Sequence, residues 1–135
     1  MASAFGLGVT AAAGIYYMYQ RWYGAEPPCG YMKEKHYQAL LHKHVGGKRE
    51  VVCRYGFVDV LTDDTIYEVK KWNCYKMVVG QLDAYLRCFP GRRKVAVLFG
   101  KPYQDRAKKA AVVDLLRKNG IAVWMYDQNN VLFEL

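Results

Sequence analysis

Two periods of hydrophobic and polar residues run along the chain, and together they predict a mixed α/β fold. Runs of four to eight residues rich in β-branched and aromatic side chains are typical of strands. Apolar residues at helical spacing, stopped by glycine or by Pro-Gly, are typical of amphipathic helices. The predicted strands cover 48–55, 57–62, 65–70, 95–100, 121–126 and 131–135. The predicted helices cover 31–44, 72–89 and 104–118.

The order of these elements predicts how they assemble. The strand, helix, strand sequence in the second half implies parallel strands joined by right-handed crossovers. The first half instead contains a hairpin, in which Asp63-Asp64 forms the turn between two strands. We therefore expect a mixed sheet with helices on both faces.

The first part of the chain differs from the rest. Residues 2–19 carry no charged side chain, and their length lies at the lower edge of what spans a bilayer. Their many glycines and alanines also suit helix packing, so a membrane anchor and a packing helix both stand as interpretations. If the segment inserts, the basic remainder stays on the cytoplasmic side. The predicted organisation is an apolar helix at 1–24, a proline-containing linker at 25–30 and one domain at 31–135.

Charge and cysteine content narrow the classes of function. The formal net charge of +8 and pI of about 9.3 favour a polyanionic partner, either nucleic acid or an anionic membrane surface. The four cysteines include no CxxC pair that would begin a zinc site. No nucleophile elbow or partnered cysteine suggests a serine or cysteine hydrolase. A length of 135 residues suffices for one domain with a real core.

The hairpin at 57–70 carries polar residues where a core is expected. Glu68 and Lys70 project from one side of their strand, whereas Tyr67 and Val69 project from the other. Pairing of the two strands brings Asp59 into the same neighbourhood. Burying two carboxylates and an ammonium group is costly unless a cation or a ligand offsets the lost hydration. The hairpin is therefore the candidate site.

Asp59, eight intervening residues and then Glu68-Val69-Lys70 resemble the signature of the PD-(D/E)XK nuclease superfamily. Gln81, on the helix that follows, matches a glutamine found in several branches of that superfamily. Val58 stands where the name-giving proline would be. The resemblance implies a restriction-endonuclease-like core, α-βββ-α-β with an added α-β, here preceded by the apolar N-terminal helix.

The resemblance also implies a metal-dependent chemistry. Asp59, Glu68 and the Val69 carbonyl would hold Mg²⁺ or Mn²⁺, with Glu34 or Glu50 as a third carboxylate. Lys70 would activate water or stabilise transition-state charge, and Gln81 would orient water or phosphate. The expected activity is structure-selective or non-specific hydrolysis of DNA, with RNA not excluded and a homodimer as in compact Holliday-junction resolvases.

The alternative is a catalytically inactive adaptor with the same fold that binds nucleic acid or associates with a membrane. Both hypotheses predict an intracellular protein, cytoplasmic or nuclear, or one anchored to a membrane through residues 2–19. Both also use basic and aromatic residues as backbone and stacking contacts. The candidates for these contacts are Lys71, Trp72, Arg92, Arg93, Lys94, Arg106, Lys108 and Lys109.

Overall fold

The computed structural model describes residues 31–101 and 103–135. Its helices are α1 (Tyr31–Val45), α2 (Tyr75–Cys88) and α3 (Arg106–Lys118), and a short 3₁₀ helix, Trp72–Cys74, precedes α2. Its strands are β1 (Lys48–Cys53), β2 (Gly56–Leu61), β3 (Thr65–Lys71), β4 (Arg93–Phe99), β5 (Ile121–Tyr126) and β6 (Leu132–Glu134). The predicted mixed α/β sheet with flanking helices is confirmed. The apolar helix at 1–24 and the linker at 25–30 lie outside the described residues.

The six strands form one sheet in which neighbours in sequence are also neighbours in space, in the order β1-β2-β3-β4-β5-β6. The β1–β2, β2–β3 and β5–β6 pairs are antiparallel, whereas β3–β4 and β4–β5 are parallel. Parallel neighbours require crossovers, and α2 and α3 supply them. Both helices consequently begin near the carboxyl ends of the parallel strands.

Two apolar layers lie on opposite sides of the sheet. Val78 and Leu82 of α2 share one core with Val112 and Leu116 of α3, so these two helices cover the same face. On the other face, Leu41 of α1 packs into a second core with residues of β3, β4 and β5. Strand β4 is buried on both faces, as its continuous apolar sequence predicts.

Strand β2 changes face at its centre. Simple alternation would place Val58 and Val60 on the same side, but Val58 packs under α2 and Val60 packs under α1. The residue between them is Asp59, and the position opposite it on β1 is Glu50, which has a φ of +52°. Both strands are therefore distorted at one pair of acidic residues, and the β2–β3 ladder ends at Val60.

Membrane insertion receives no support from the described helices. Within residues 31–101 and 103–135, no helix is long and apolar enough to cross a bilayer. The predicted anchor at residues 2–19 lies outside that range, so it stays a prediction.

Neighbouring leucines of α3 provide a direct test of this packing. Leu116 is fully buried under the helix, whereas Leu115 is 41% exposed. We expect Leu116→Ala to lower the free energy of unfolding by about 2–5 kcal/mol, because it removes buried methyl groups and leaves a cavity. The matched control, Leu115→Ala, should change it by no more than about 0.5 kcal/mol. Urea unfolding measures both, and equal losses would contradict the described orientation of α3.

Candidate functional site

A row of acidic residues crosses the sheet at the point where β2 changes face. Glu50 of β1 and Asp59 of β2 lie across from each other between two paired positions of the β1–β2 ladder, and Glu68 of β3 lies near Asp59 just beyond the last β2–β3 pair. Like charges directly opposite one another destabilise a sheet unless they are neutralised. How each carboxylate is neutralised therefore decides what this row can do.

Asp59 is held by hydrogen bonds from two parts of the protein. Its Oδ2 accepts from the backbone N–H of Val69 at 2.7 Å, and its Oδ1 accepts from Nε2 of Gln38 at 3.0 Å. The oxygen of the same Gln38 amide accepts from Nε and Nη2 of Arg49, at 3.1 and 2.9 Å. The carboxylate thus replaces the missing ladder contact between β2 and β3 and ties both strands to α1.

Lys70 and Glu34 form an ion pair beside Asp59. Their Nζ and Oε1 atoms lie 3.2 Å apart, and each side chain is only 9% exposed. Burial raises the pKa of Glu34 to about 7, although the nearby ammonium group of Lys70 opposes that shift. Burial lowers the pKa of Lys70, but the carboxylates of Glu68, Glu34 and Asp59 together raise it above its ordinary value. The lysine therefore stays charged at neutral pH, compensating carboxylates that surround it.

Glu68 is the most deeply buried carboxyl group of the row, with 2% of the residue exposed. Burial, followed by the proximity of Asp59, raises its pKa well above the ordinary value. The pKa of Tyr85, on α2, is also raised. Burial is the main cause, and the nearby carboxylates of Glu68 and Asp59 add to it. Glu68 thus faces α2, on the side predicted from strand alternation.

These donors fit poorly to a divalent cation. Magnesium requires ionised oxygens with room for several waters. Here Asp59 is occupied by protein donors, Glu34 is paired with Lys70, and burial disfavours ionisation of Glu68. Among the described residues, no group of three or more His, Cys, Asp or Glu side chains is placed to hold a metal ion. The magnesium or manganese cofactor therefore stays a prediction from the sequence.

The remaining predicted residues of this site have different surroundings. The side chain of Val69 packs into the α1 core, while its N–H binds Asp59. Glu50 is half-buried on β1 and lies in line with Asp59. Gln81 lies on α2, one turn before Tyr85, and its Oε1 is buried without a hydrogen-bond partner in the described part of the chain. The structure therefore brings Asp59, Glu68, Lys70 and Glu34 together, and within its described residues none of them is hydrogen-bonded to Gln81.

The predicted nucleic-acid contacts divide between the two ends of the sheet. Lys71 ends β3, and Arg106, Lys108 and Lys109 begin α3, so these residues lie at the carboxyl end of the parallel strands. The segment 92–94 lies at the amino end of β4 instead. Six residue steps of about 3.3 Å along β4 separate the two ends by roughly 20 Å. The predicted contacts are thus not one continuous patch.

Several of these side chains are already occupied. Lys94 binds Asp83 at 2.8 Å and the carbonyl of Asn119 at 2.9 Å. Arg92 donates to the carbonyl of Thr62 at 3.0 Å and lies over the ring of Phe89. Trp72 is 1% exposed and belongs to the α2 core, so its ring offers no face on which a base could stack. The stacking role expected for Trp72 is not compatible with this burial.

Two residues of the polar network were not identified from the sequence. Gln38 lies four residues after Glu34, so both point from one face of α1 towards the hairpin. That spacing is the signal that could have identified Gln38. Arg49 lies in a predicted strand of mixed composition, and nothing local distinguishes it from a solvated arginine. Its role depends on the contact between α1 and β1.

Comparison with known proteins finds three relatives in Acanthamoeba polyphaga mimivirus, each described as a KilA-N domain-containing protein. The first is 36% identical over 67% of this chain and 24% of its own length. The second is 29% identical over 81% of this chain and 43% of its own length. The third is 32% identical over 60% of this chain and 23% of its own length. The chain therefore spans less than half of each relative. No protein-family model matches it. No solved structure matches it.

These findings correct the assignment made from the Asp59 and Glu68-Val69-Lys70 pattern. The relatives are described by a KilA-N domain and not as nucleases, so membership of the PD-(D/E)XK superfamily, metal-dependent DNA hydrolysis and classification as an enzyme are wrong. The geometry gives a physical reason, since Asp59 is hydrogen-bonded by protein donors, Glu34 is paired with Lys70 and Glu68 is buried. A short spacing pattern indicates that polar residues share a buried location, but it does not indicate what they bind.

The buried carboxyl group of Glu34 makes stability depend on pH. Its pKa rises from 4.5 to about 7 on folding, so the folded protein retains a proton that the unfolded chain releases. The resulting stabilisation is complete below pH 4.5 and is lost as the pH rises through about 7, a change of up to about 3 kcal/mol. Glu34→Gln cannot titrate, so its free energy of unfolding should fall less over this interval.

Urea unfolding of both proteins between about pH 5 and about pH 8 measures the difference. Glu68 contributes in the same direction in both proteins, and the charge of Glu34 is the smallest of the causes that set its pKa, so the difference between the proteins reports mainly Glu34. An identical pH dependence for the wild type and Glu34→Gln would show that this carboxyl group is not buried as described.

Proposed function

We propose that this chain is a DNA-binding module that contacts phosphates through the outer surface of α2 and α3 and the adjoining carboxyl end of the parallel strands. We call this surface the basic layer and define it as residues 71–91, 100–101 and 103–118. Its binding is non-catalytic and needs no metal ion. The observation that carries the proposal is that the basic side chains of this layer are largely unpaired, whereas its acidic side chains are all engaged.

The acidic side chains of the basic layer are bound internally. Asp83 pairs with Lys94 at 2.8 Å, and Asp114 pairs with Lys118 at 3.0 Å. Asp105 caps α3 by accepting from the backbone N–H groups of Ala107 and Lys108. No free carboxylate in the described part of this layer therefore repels a phosphate.

The cations show the opposite pattern. Apart from Lys118, the basic side chains of the layer make no ion pair within the described residues. They are Lys71, Lys76, Arg87, Lys101, Arg106, Lys108, Lys109 and Arg117. Binding of such unpaired cations to nucleic acid is favourable because it releases counterions condensed on the phosphates.

Aromatic rings position two of these cations at the start of α3. The Nζ of Lys108 lies 5.5 Å from the ring centre of Tyr75 and 5.6 Å from that of Tyr103, and 3.4 Å from the hydroxyl of Tyr75. The Nζ of Lys109 lies 5.8 Å from the ring centre of Trp72. Cation–π contacts of this kind restrict the side chains before a ligand binds. Trp72 is therefore proposed to help position Lys109 for a phosphate, although its own ring is buried in the core.

DNA is the partner proposed on two grounds. The net charge of +8 suits a polyanion, and the KilA-N domain in the descriptions of the relatives is a DNA-binding family. The nucleic-acid-binding alternative identified from the sequence is therefore the one carried forward. Homodimer formation and membrane association are not part of the proposal, because neither the described residues nor the comparisons support them.

Removal of the two ring-held lysines tests the proposal. We expect Lys108→Gln combined with Lys109→Gln to weaken binding to a fluorescent DNA duplex roughly tenfold at low salt. The slope of log affinity against log salt should also fall in magnitude by up to about 2, because each lost phosphate contact contributes about 0.9. Fluorescence anisotropy in EDTA measures both quantities, with an RNA duplex as a parallel ligand.

Lys43→Gln is the matched control, since it removes one charge from the exposed surface of α1 on the opposite face. It should leave most of the affinity and slope intact. Wild-type protein that binds no duplex in EDTA, or an equal loss per charge on both faces, would contradict the proposal.

A further inference from the structure

Gly80 occupies the middle of α2, where glycine is the least favourable residue apart from proline. Nothing inside the protein requires it. Its φ is not in the left-handed region, and a Cβ atom built on it would meet no atom within 4 Å. Glycine at this exposed position therefore lowers the stability of the helix, and no contact inside the protein requires it. A position of this kind suits close approach of something outside the chain.

The neighbours of Gly80 on that surface are basic. Lys76 precedes it by four residues and Arg87 follows it by seven, which places all three in one exposed stripe along the helix. Asp83 lies in the same stripe, three residues after Gly80 and four before Arg87, and its half-exposed carboxylate pairs with Lys94 at 2.8 Å. Within the described residues, neither Lys76 nor Arg87 has an ion-pair partner. The stripe thus carries a cation at each end, has no side chain at Gly80, and has its one carboxylate paired with Lys94.

We infer that this stripe of α2, Lys76, Gly80 and Arg87, is a contact surface for duplex DNA, in which the backbone at Gly80 approaches the duplex closely and the two cations bind phosphates. The inference rests on the proposed DNA binding and adds to it the close approach at Gly80 and a preference for a duplex over a single strand. A polyanion fits the stripe better than a second protein helix does, because two unpaired cations on each copy would repel each other.

The spacing of the cations favours a duplex over a single strand. Eleven residues at about 1.5 Å per residue place Lys76 and Arg87 roughly 16 Å apart along the helix. The major groove of B-form DNA is about 12 Å wide, so two side chains at this spacing reach phosphates on both of its edges. A flexible single strand has no fixed pair of edges that would match this distance.

Gly80→Ala separates stability from binding, because the two should change in opposite directions. Alanine is the best helix former, so the substitution should raise Tm by about 3–5 °C. The added methyl group should weaken duplex binding about tenfold, since it enters a close contact. Binding to a single strand of the same sequence should change less.

Gly80→Leu should reduce duplex affinity further. Lys76→Gln combined with Arg87→Gln should lower the salt dependence of duplex binding.

His44→Ala serves as the control, because it exchanges an exposed residue in the last turn of α1, away from the stripe. It should leave duplex affinity unchanged. A raised Tm with unchanged or tighter duplex binding for Gly80→Ala would overturn the inference while leaving the proposed function intact. Absence of wild-type binding to any duplex would overturn both. Sedimentation showing a wild-type dimer that Gly80→Leu dissociates would assign the stripe to self-association and overturn the inference.

Discussion

The bond from the backbone N–H of Val69 to the carboxylate of Asp59 is the contact on which the hairpin depends. Strands β2 and β3 are paired only near their turn, and they separate where the acidic residues meet. Without Asp59 the N–H of Val69 would be a buried donor with no partner, which is costly in a low-dielectric interior. The same carboxylate accepts a hydrogen bond from the amide nitrogen of Gln38 on α1. The amide oxygen of Gln38 in turn accepts hydrogen bonds from Arg49 on β1. One side chain thus joins four elements.

This arrangement also explains the difference between the interior and the surface. Inside, the charges are compensated locally, because Lys70 lies beside Glu34 and burial keeps the pKa of Glu68 raised. On the surface of α2 and α3, the carboxylates form ion pairs or cap a helix, whereas most of the cations have no ion-pair partner. The buried cluster stabilises the sheet, and the surface carries the charge that recognises a partner. Functional chemistry was expected at the first location and is proposed at the second.

Secondary structure was accessible from the sequence because periodicity and turn residues are local properties. The hairpin, its turn at Asp63-Asp64 and the buried strand β4 lie where the patterns place them. The proximity of Asp59 to Glu68 was also accessible, since it follows from hairpin pairing. The distortion at Glu50 was not, because a positive φ in a strand is imposed by tertiary contacts and carries no local signature.

Function was less accessible, for a related reason. The spacing of acidic and basic residues in the hairpin predicts a shared location, but the hydrogen bond that Gln38 donates to Asp59 comes from a separate helix. Likewise, the position of Trp72 next to Lys71 favours a surface aromatic residue. Packing against α2 instead buries it. The segment 92–94 is basic like the start of α3, yet it lies at the other end of the sheet. Long-range packing decides each of these outcomes.

Hydrogen exchange with and without a DNA duplex would locate the partner directly, because bound phosphates protect the backbone beneath them. We predict slower exchange in peptides that cover α2 and the start of α3, with unchanged exchange in β1 and in α1. Protection confined to α1, or no protection at duplex concentrations that saturate binding, would contradict the claim that α2 and α3 form the DNA-binding surface.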